Sequence, residues 1–202
     1  VAAGGGSRLF FREGLFVVGP ESASAHPGPV CYKKDGYLAV TDANLVLGRV
    51  IPDFFPKIFG PKENEPLAED VALEAFKVLT EEVNAHFTKH SPNTKPLTVD
   101  EVAFGFLRVA NEAMSRPIRS ITEAKGHEIA GHVLAVFGGA GPQHACSIAR
   151  NLGMDTVFVQ RYCSILSAYG IGLSDIVYED QEPCSTEYNG SDMTDLEARL
   201  KA

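Results

Sequence analysis

The stretch Val133–Gly153, VLAVFGGAGPQHACSIARNLG, decides the fold that the sequence predicts. Its opening run, Val133–Phe137, is entirely apolar, which indicates a buried strand. Gly138–Gly141 then forms a glycine-rich turn, and Pro142 suits the first position of a helix because its missing N–H would be unpaired there anyway. Apolar residues recur at helical spacing as far as Gly153, a residue typical of a helix C-terminus. The stretch therefore predicts a strand, a turn and a helix in succession.

The turn Gly138–Gly141 is a candidate ligand site. Glycines remove the Cβ atoms that would keep a ligand away from the backbone, and they permit positive φ angles. The N-terminus of the following helix adds unpaired amides that suit a nucleotide. The alternative is a tight turn that needs glycine for its geometry alone, and the pattern is neither the dinucleotide GxGxxG fingerprint nor a Walker loop. Both interpretations stay open on these residues.

Strand and helix signals alternate around this unit, and we predict an α/β fold. Thr156–Val159 is the second strand of a βαβ unit, and a helix of small residues is expected near Leu166–Leu173. These patterns divide the chain into four segments: a glycine-rich, β-containing segment at 1–66, a helical segment at 67–132, a βαβ segment at 133–178, and the polar start of a following region at 179–202.

Two strands are predicted in the first segment. Leu15–Val18 is an apolar run that we expect to end at Gly19-Pro20, and Tyr37–Val40 follows a turn of charged residues and glycine. A short helix is expected after Val40. The four prolines of residues 51–66 predict an irregular connection.

Two long helices are predicted in the second segment. Leu67–His86 has apolar residues spaced for one face, Val71 among them. Thr98 and Glu101 have the spacing of a capping box, which predicts the start of the next helix. Pro117 is expected to kink or interrupt that helix.

Composition and charge exclude some classes of function. The formal charge of −8 over 202 residues argues against a surface for nucleic acid or anionic membrane. No stretch approaches the ~18–20 apolar residues of a membrane span. The four cysteines have no metal-binding spacing, so we predict reduced thiols in a cytoplasmic protein and no metal site built by side chains alone. The chain opens without methionine and ends in a polar helix pattern, so we expect a piece of a longer protein with an incomplete active site.

A second glycine cluster near the start of the chain is a candidate anion site. Gly4, Gly5 and Gly6 could wrap an anion, and Ser7 and Arg8 could both donate hydrogen bonds to it. The alternative is a flexible loop.

Four further residues are candidates for chemistry in the first segment. Glu21 and His26 place a carboxylate and an imidazole in one loop. Asp42 and Asn44 follow a predicted strand, where ligand sites of α/β proteins form. Asp42 could equally be the N-cap of the next helix, and His26 could be a structural loop residue. His144, in the first turn after the glycine turn, is expected by default on the helix surface.

Six motifs occur together in an order and spacing that resemble one family. They are Ala3–Arg8, Val18–Ser22, His26–Pro29, Thr41–Asn44, Ala110–Met114 and Phe137–Cys146. In this order they resemble the hydantoinase A / 5-oxoprolinase family over nearly the whole chain. Three shorter runs point to its ATP-dependent 5-oxoprolinase branch: Phe59–Asn64, Arg116–Arg119 and Gln181–Cys184.

The resemblance implies the actin- and hexokinase-like (ribonuclease H-like) ATPase fold, incomplete at both ends of this chain. It implies ATP and Mg²⁺ as cofactors. The nucleotide would contact Gly5, Gly6 and Ser7 after the family's second phosphate motif, and Gly138, Gly139, Ala140 and Gly141 as the adenosine motif. We take Asp42, Glu21 and His26 as catalytic candidates and Arg8 and Asn44 as candidates for substrate binding.

The implied reaction is the ATP-driven opening of 5-oxo-L-proline to L-glutamate through a phosphorylated lactam. Its expected partners are the small-molecule substrate, a hydantoinase B-type region in the same chain or a partner subunit, and a second copy in a homodimer. One alternative is a hydantoin-cleaving enzyme or the ATP-using subunit of a ketone carboxylase. Another is a folded module without catalytic activity, which could bind partner subunits.

Overall fold

The computed structural model describes residues 5–91, 94–181, 183 and 198. Most of the predicted polar segment 179–202, Cys184 included, lies outside these residues, and so does Gly4. The described elements are β1 (Ser7–Arg12), β2 (Leu15–Ser22), α1 (Val40–Val46), α2 (Glu69–His90), α3 (Val99–Ala124), β3 (Leu134–Val136), α4 (Gly141–Leu152), β4 (Val157–Val159) and α5 (Leu166–Leu173). Short 3₁₀ turns occur at Val30–Tyr32, Pro52–Phe54 and Cys163–Ile165.

β1 and β2 form an antiparallel hairpin. Glu13 and Gly14 make its turn with φ angles of 52° and 79°, the positive values that match the twist of a tight hairpin. The prediction that Gly19-Pro20 ends the second strand is wrong, since β2 continues to Ser22. The register shifts between Ser7 and Leu9 of β1, and this irregularity lets the pairing resume beyond the proline.

Residues Tyr37–Val40 do not form the strand that was predicted there. Tyr37 and Ala39 each form only an isolated bridge, to Pro29 and Arg8 respectively, and Val40 already begins α1. The reason lies in Asp42, whose carboxylate accepts the Ala39 amide at 2.8 Å and so fixes the helix start.

The main core joins the hairpin to the first three helices. Phe76 and Val83 of α2 are wholly buried against Val102 and Phe106 of α3. Phe16 of β2 packs on Phe106 with ring centroids 4.6 Å apart. α2 is displaced by a few residues from its predicted range, and Val71 is 37% exposed rather than on the buried face.

α3 begins at the predicted capping box and continues through its proline. The Thr98 hydroxyl accepts the Glu101 amide at 3.2 Å, and the Glu101 carboxylate accepts the Thr98 amide at 2.8 Å. Pro117 does not interrupt this helix, since α3 extends to Ala124, and the alternative expectation of a kink stays a prediction. Met114 and Ile118, on either side of the proline, both pack against the α4 cluster, which favours a continuous helix.

The βαβ unit is present, with β3 and β4 parallel and α4 between them in sequence. Pro142 lies in the first turn of α4, and Gly153 ends it with a φ of 72°, as predicted. α5 has the predicted bounds. The strand is shorter than its apolar run: Val133 and Phe137 fall outside the paired residues and are 56% and 60% exposed. The prediction of a buried strand is wrong, since β3 itself is only partly covered, with β4 as its one neighbouring strand among the described residues.

A buried carboxylate joins the loop before α1 to the helix itself. The Asp42 side chain is fully buried and accepts the backbone amides of Val30 (3.2 Å), Cys31 (2.9 Å) and Ala39 (2.8 Å). Burial raises the pKa of Asp42, and the three amide donors oppose that shift. Burial also raises the pKa of the neighbouring Cys31 thiol. The carboxylate thus fixes where α1 begins and how the preceding loop packs against it.

Removing this acceptor should destabilise the protein strongly. Asp42→Ala is expected to lower the free energy of unfolding by about 3 kcal/mol or more, because three amides lose their partner. Asp42→Asn keeps one acceptor oxygen and should lose less. Urea denaturation measures both, with Asp53→Ala at an exposed position as control, where a change within about 0.5 kcal/mol is expected. Equal effects at the two aspartates would contradict the role given to Asp42.

Candidate functional site

A cavity of 460 Å³ lies between the two glycine clusters that the sequence analysis singled out. It is lined by Gly5, Gly6, Ser22, Ser24, Ala25, Pro29, Tyr32, Thr41, Val50, Phe55, Gly139, Ala140 and Gln143. None of these residues carries a formal charge. The wall is therefore made of backbone, hydroxyl groups, one side-chain amide and aromatic rings, a composition typical of a small-molecule site.

Gly5 is held against the start of α1. Its carbonyl accepts both the Thr41 amide at 2.9 Å and the Thr41 hydroxyl at 2.8 Å. A Cβ at this position would lie 2.7 Å from the Thr41 hydroxyl and 3.5 Å from the Cβ of Ala140. Glycine is thus required at position 5 by packing, and the two glycine clusters approach each other directly.

The turn before α4 contains glycines of different kinds. Gly138 has a φ of +85°, and its amide donates to the Cys163 carbonyl at 2.8 Å. A Cβ on Gly141 would lie 3.0 Å from Val136. Gly139 is different, since its φ lies outside the left-handed region and a Cβ there would meet open space. Neither backbone angle nor described packing explains a glycine at 139, whereas a ligand beside it would.

Two side-chain hydrogen bonds fix the first turn of α4. The Asn44 amide nitrogen donates to the Gln143 Oε1 at 2.9 Å, and His144 Nδ1 lies 2.7 Å from the Asn111 Oδ1. His144 is 1% exposed, so its expected place on the helix surface is wrong. The cause is the contact between α3 and α4, which buries the imidazole against Asn111.

His144 is a neutral imidazole in this environment. Burial, assisted by the positive charge of Arg49, lowers the pKa of His144 to about 4. Since the Asn111 Oδ1 can only accept, the proton lies on Nδ1 of the ring. Nε2 is buried without a partner among the described residues.

Ser7 and Arg8 lie beside the cavity without lining it. Ser7 is 1% exposed, and its hydroxyl has no partner among the described residues. The Arg8 guanidinium lies 3.7 Å from the ring centroid of Tyr37 and 5.0 Å from that of Phe10, in cation–π geometry. The aromatic rings thus hold the arginine head group near the glycine cluster.

The other candidates for chemistry also lie outside the lining of the cavity. Glu21 is exposed, with its carboxylate 3.9 Å from the Arg12 guanidinium. His26 is an exposed loop residue. Asp42 and Asn44 are both fully buried, the first engaged by backbone amides and the second by Gln143. The catalytic and substrate-binding roles predicted for these residues stay predictions.

Thr41 and Gln143 both line the cavity but were not among the predicted site residues. Thr41 precedes the catalytic candidate Asp42, and Gln143 follows the predicted glycine turn closely. The glycine clusters were the available signal, but a sequence pattern does not show that Gly5 and Gly139, 134 residues apart, line one cavity.

A larger groove of 700 Å³ lies along α3 and α4 and contains the arginines Arg108, Arg116 and Arg150. It contains none of the predicted site residues. Within the described part of the chain, no group of three or more His, Cys, Asp or Glu side chains could hold a metal ion. No described helix is both long and apolar enough to cross a membrane. The described cysteines, Cys31, Cys146 and Cys163, are free thiols.

Comparison with solved structures confirms the α/β fold class and relates it to a class of ATP-dependent enzymes. The ATP-dependent caprolactamase from Pseudomonas jessenii superposes with a TM-score of 0.68 at 32% identity, over 86% of this chain and 23% of that one. A nucleotide-free structure of acetone carboxylase, an enzyme of ATP-dependent acetone carboxylation, gives a TM-score of 0.66 at 26% identity. The match covers 86% of this chain and 22% of that one. The predicted ribonuclease H-like ATPase fold is consistent with both.

The chain belongs to the hydantoinase/oxoprolinase family, whose model matches residues 1–180. The 5-oxoprolinase of Dictyostelium discoideum is 62% identical over 200 residues, which is 99% of this chain. This chain spans only 16% of the length of that relative. The family resemblance drawn from the six motifs is confirmed.

The neutral state of His144 should make stability depend on pH. Because its folded pKa of about 4 lies below the ordinary 6.5, its contribution is complete above pH 6.5 and is lost as the pH falls towards 4. Between pH 7 and pH 5 the wild type should lose about 2 kcal/mol more unfolding free energy than His144→Gln. Urea denaturation at both pH values measures the difference. His90→Gln, at an exposed position, is the control and should keep the wild-type dependence.

Proposed function

We propose that this chain forms the adenosine-side wall of the nucleotide site in an ATP-dependent 5-oxoprolinase. One observation carries the proposal: Gly5–Gly6 and Gly139–Ala140, predicted separately as nucleotide contacts, line the same cavity. The open space beside Gly139 supports it, since Gly139 lines the cavity and the surrounding protein atoms do not require a glycine there. The 62% identity to a protein named 5-oxoprolinase favours this member of the family.

ATP would transfer its terminal phosphoryl group to the carbonyl oxygen of the 5-oxo-L-proline lactam, an otherwise poor electrophile, with ADP as the leaving group. Water would then add to the activated carbon, phosphate would leave, and the ring C–N bond would break with the nitrogen taking a proton, which gives L-glutamate. The residues of this chain would bind and orient the nucleotide. Gly139 and Ala140 would admit it to the backbone, while Gly5 and Gly6 would lie across the cavity, with Ser7 beside them. Arg8, held by Tyr37, is proposed on the substrate side, where Asn44 would act through Gln143.

The catalytic candidates Glu21 and His26 flank a stretch of the cavity wall, since Ser22, Ser24 and Ala25 between them all line it. Asp42 would act indirectly, by fixing the position of α1. The described residues do not fit a complete Mg²⁺ site, because no carboxylate lines the cavity. Mg²⁺ binding by the whole enzyme, its homodimer, its cytoplasmic location and its hydantoinase B-type region stay predictions.

A second candidate is another ATP-using member of the family, favoured by the superposition on acetone carboxylase. The two are separated by assaying the full-length protein with MgATP and one substrate at a time. ATP-dependent release of glutamate from 5-oxo-L-proline is expected. ATP hydrolysis coupled instead to hydantoin cleavage or to carboxylation of a ketone would favour the second candidate. A full-length protein that binds no ATP would contradict both candidate functions. It would favour the remaining alternative, a folded module without catalytic activity.

Gly139→Val in the full-length protein should weaken ATP binding, because a branched side chain would occupy the space beside the turn. We expect the Kd for MgATP to rise about tenfold or more, equivalent to ~1.4 kcal/mol. Isothermal titration calorimetry measures it. Gly131→Val is the matched control, since Gly131 also faces open space but does not line the cavity. Unchanged affinity in Gly139→Val would remove the turn from the nucleotide site.

A further inference from the structure

Gln143 presents a hydrogen-bond donor to the cavity. It lies in the first turn of α4 and lines the cavity, and its Oε1 is occupied by the Asn44 amide nitrogen at 2.9 Å. No described residue accepts a hydrogen bond from its Nε2. The two N–H groups of Gln143 are therefore available to a ligand.

Asn44 determines which end of the Gln143 amide faces outward. Asn44 is fully buried, and its backbone carbonyl accepts the amides of Arg49 and Val50 at 2.8 and 3.2 Å, which fixes it on α1. In the reverse orientation Asn44 would bury its two N–H donors without a partner. In the observed orientation one N–H of Asn44 is paired and its Oδ1 is left without a partner among the described residues, a smaller cost since buried N–H donors are rarely left unpaired.

The surroundings of Gln143 call for a ligand that supplies acceptors. The carbonyl of Gly5 already accepts from Thr41, and that of Gly6 accepts the Ala23 amide. No charged residue lines the cavity, so Gln143 would recognise an oxygen by its donors rather than by net charge.

We infer that Gln143 is a ligand-recognition residue whose amide nitrogen donates to an oxygen of the bound molecule, with Asn44 as its positioning residue. The inference rests on the proposed function and adds to it the residue that reads the ligand. The oxygen belongs either to the nucleotide or to the cyclic amide substrate. Both offer the same acceptor chemistry, and the experiment distinguishes them.

The test uses the full-length protein and two ligands, MgATP and 5-oxo-L-proline, each titrated separately by calorimetry. Gln143→Glu keeps the shape but turns an anionic oxygen to the cavity, and it should raise the Kd of one ligand about tenfold or more. Gln143→Met removes the donor without adding charge and should weaken the same ligand by a smaller factor. The ligand that is weakened identifies the source of the oxygen.

Asn44→Asp tests the positioning role. A carboxylate can only accept, so it would draw the Gln143 N–H groups towards itself and turn Oε1 to the cavity. The KM of the same ligand should rise with little change in kcat, a split that a general loss of structure would not produce. Asn151→Asp is the matched control, with the same charge change at an exposed position on α4.

Two results would overturn the inference. The first is wild-type protein that binds both ligands while Gln143→Glu and Gln143→Met keep both affinities within about twofold. The second is an equal loss of both ligands in Asn151→Asp and Gln143→Glu, which would show an effect of charge alone. The proposed function survives either result, whereas wild-type protein that binds neither ligand refutes it and the inference together.

Discussion

The buried carboxylate of Asp42 is the constraint on which the rest of the site depends. By accepting amides from Val30, Cys31 and Ala39, it sets both where α1 begins and how the preceding loop approaches it. Two residues of the same helix then reach outward, Thr41 to the Gly5 carbonyl and Asn44 to Gln143. One short helix thus joins two walls of the cavity that are far apart in sequence.

The elements with local signals were predictable from sequence. The capping box at Thr98, the proline at the start of α4 and the glycine at its end each act within one helical turn, so a short window of sequence contains the whole cause. The same holds for the βαβ order. Family membership was also predictable, because it depends on the order of motifs and not on their contacts.

Features set by distant contacts could not be read in this way. Asp42 could cap a helix or face a ligand, and the choice is made by amides eleven and twelve residues away. His144 is buried because α3 brings Asn111 to it, 33 residues earlier in the chain. Val133 belongs to an apolar run, yet it is exposed since the paired strand begins one residue later. Burial depends on neighbours that a sequence pattern does not name.

The hydrogen bond from the Gly138 amide to the Cys163 carbonyl has a mechanical consequence. It ties the turn that borders the cavity to the short 3₁₀ turn immediately before α5. Displacement of α5 would therefore act on Gly138 through this one hydrogen bond. Gly138 has a positive φ, and as a glycine it can change its backbone angles more readily than other residues. The turn beside the cavity and the segment that leads into α5 are thereby joined by a hydrogen bond between residues 25 positions apart in sequence.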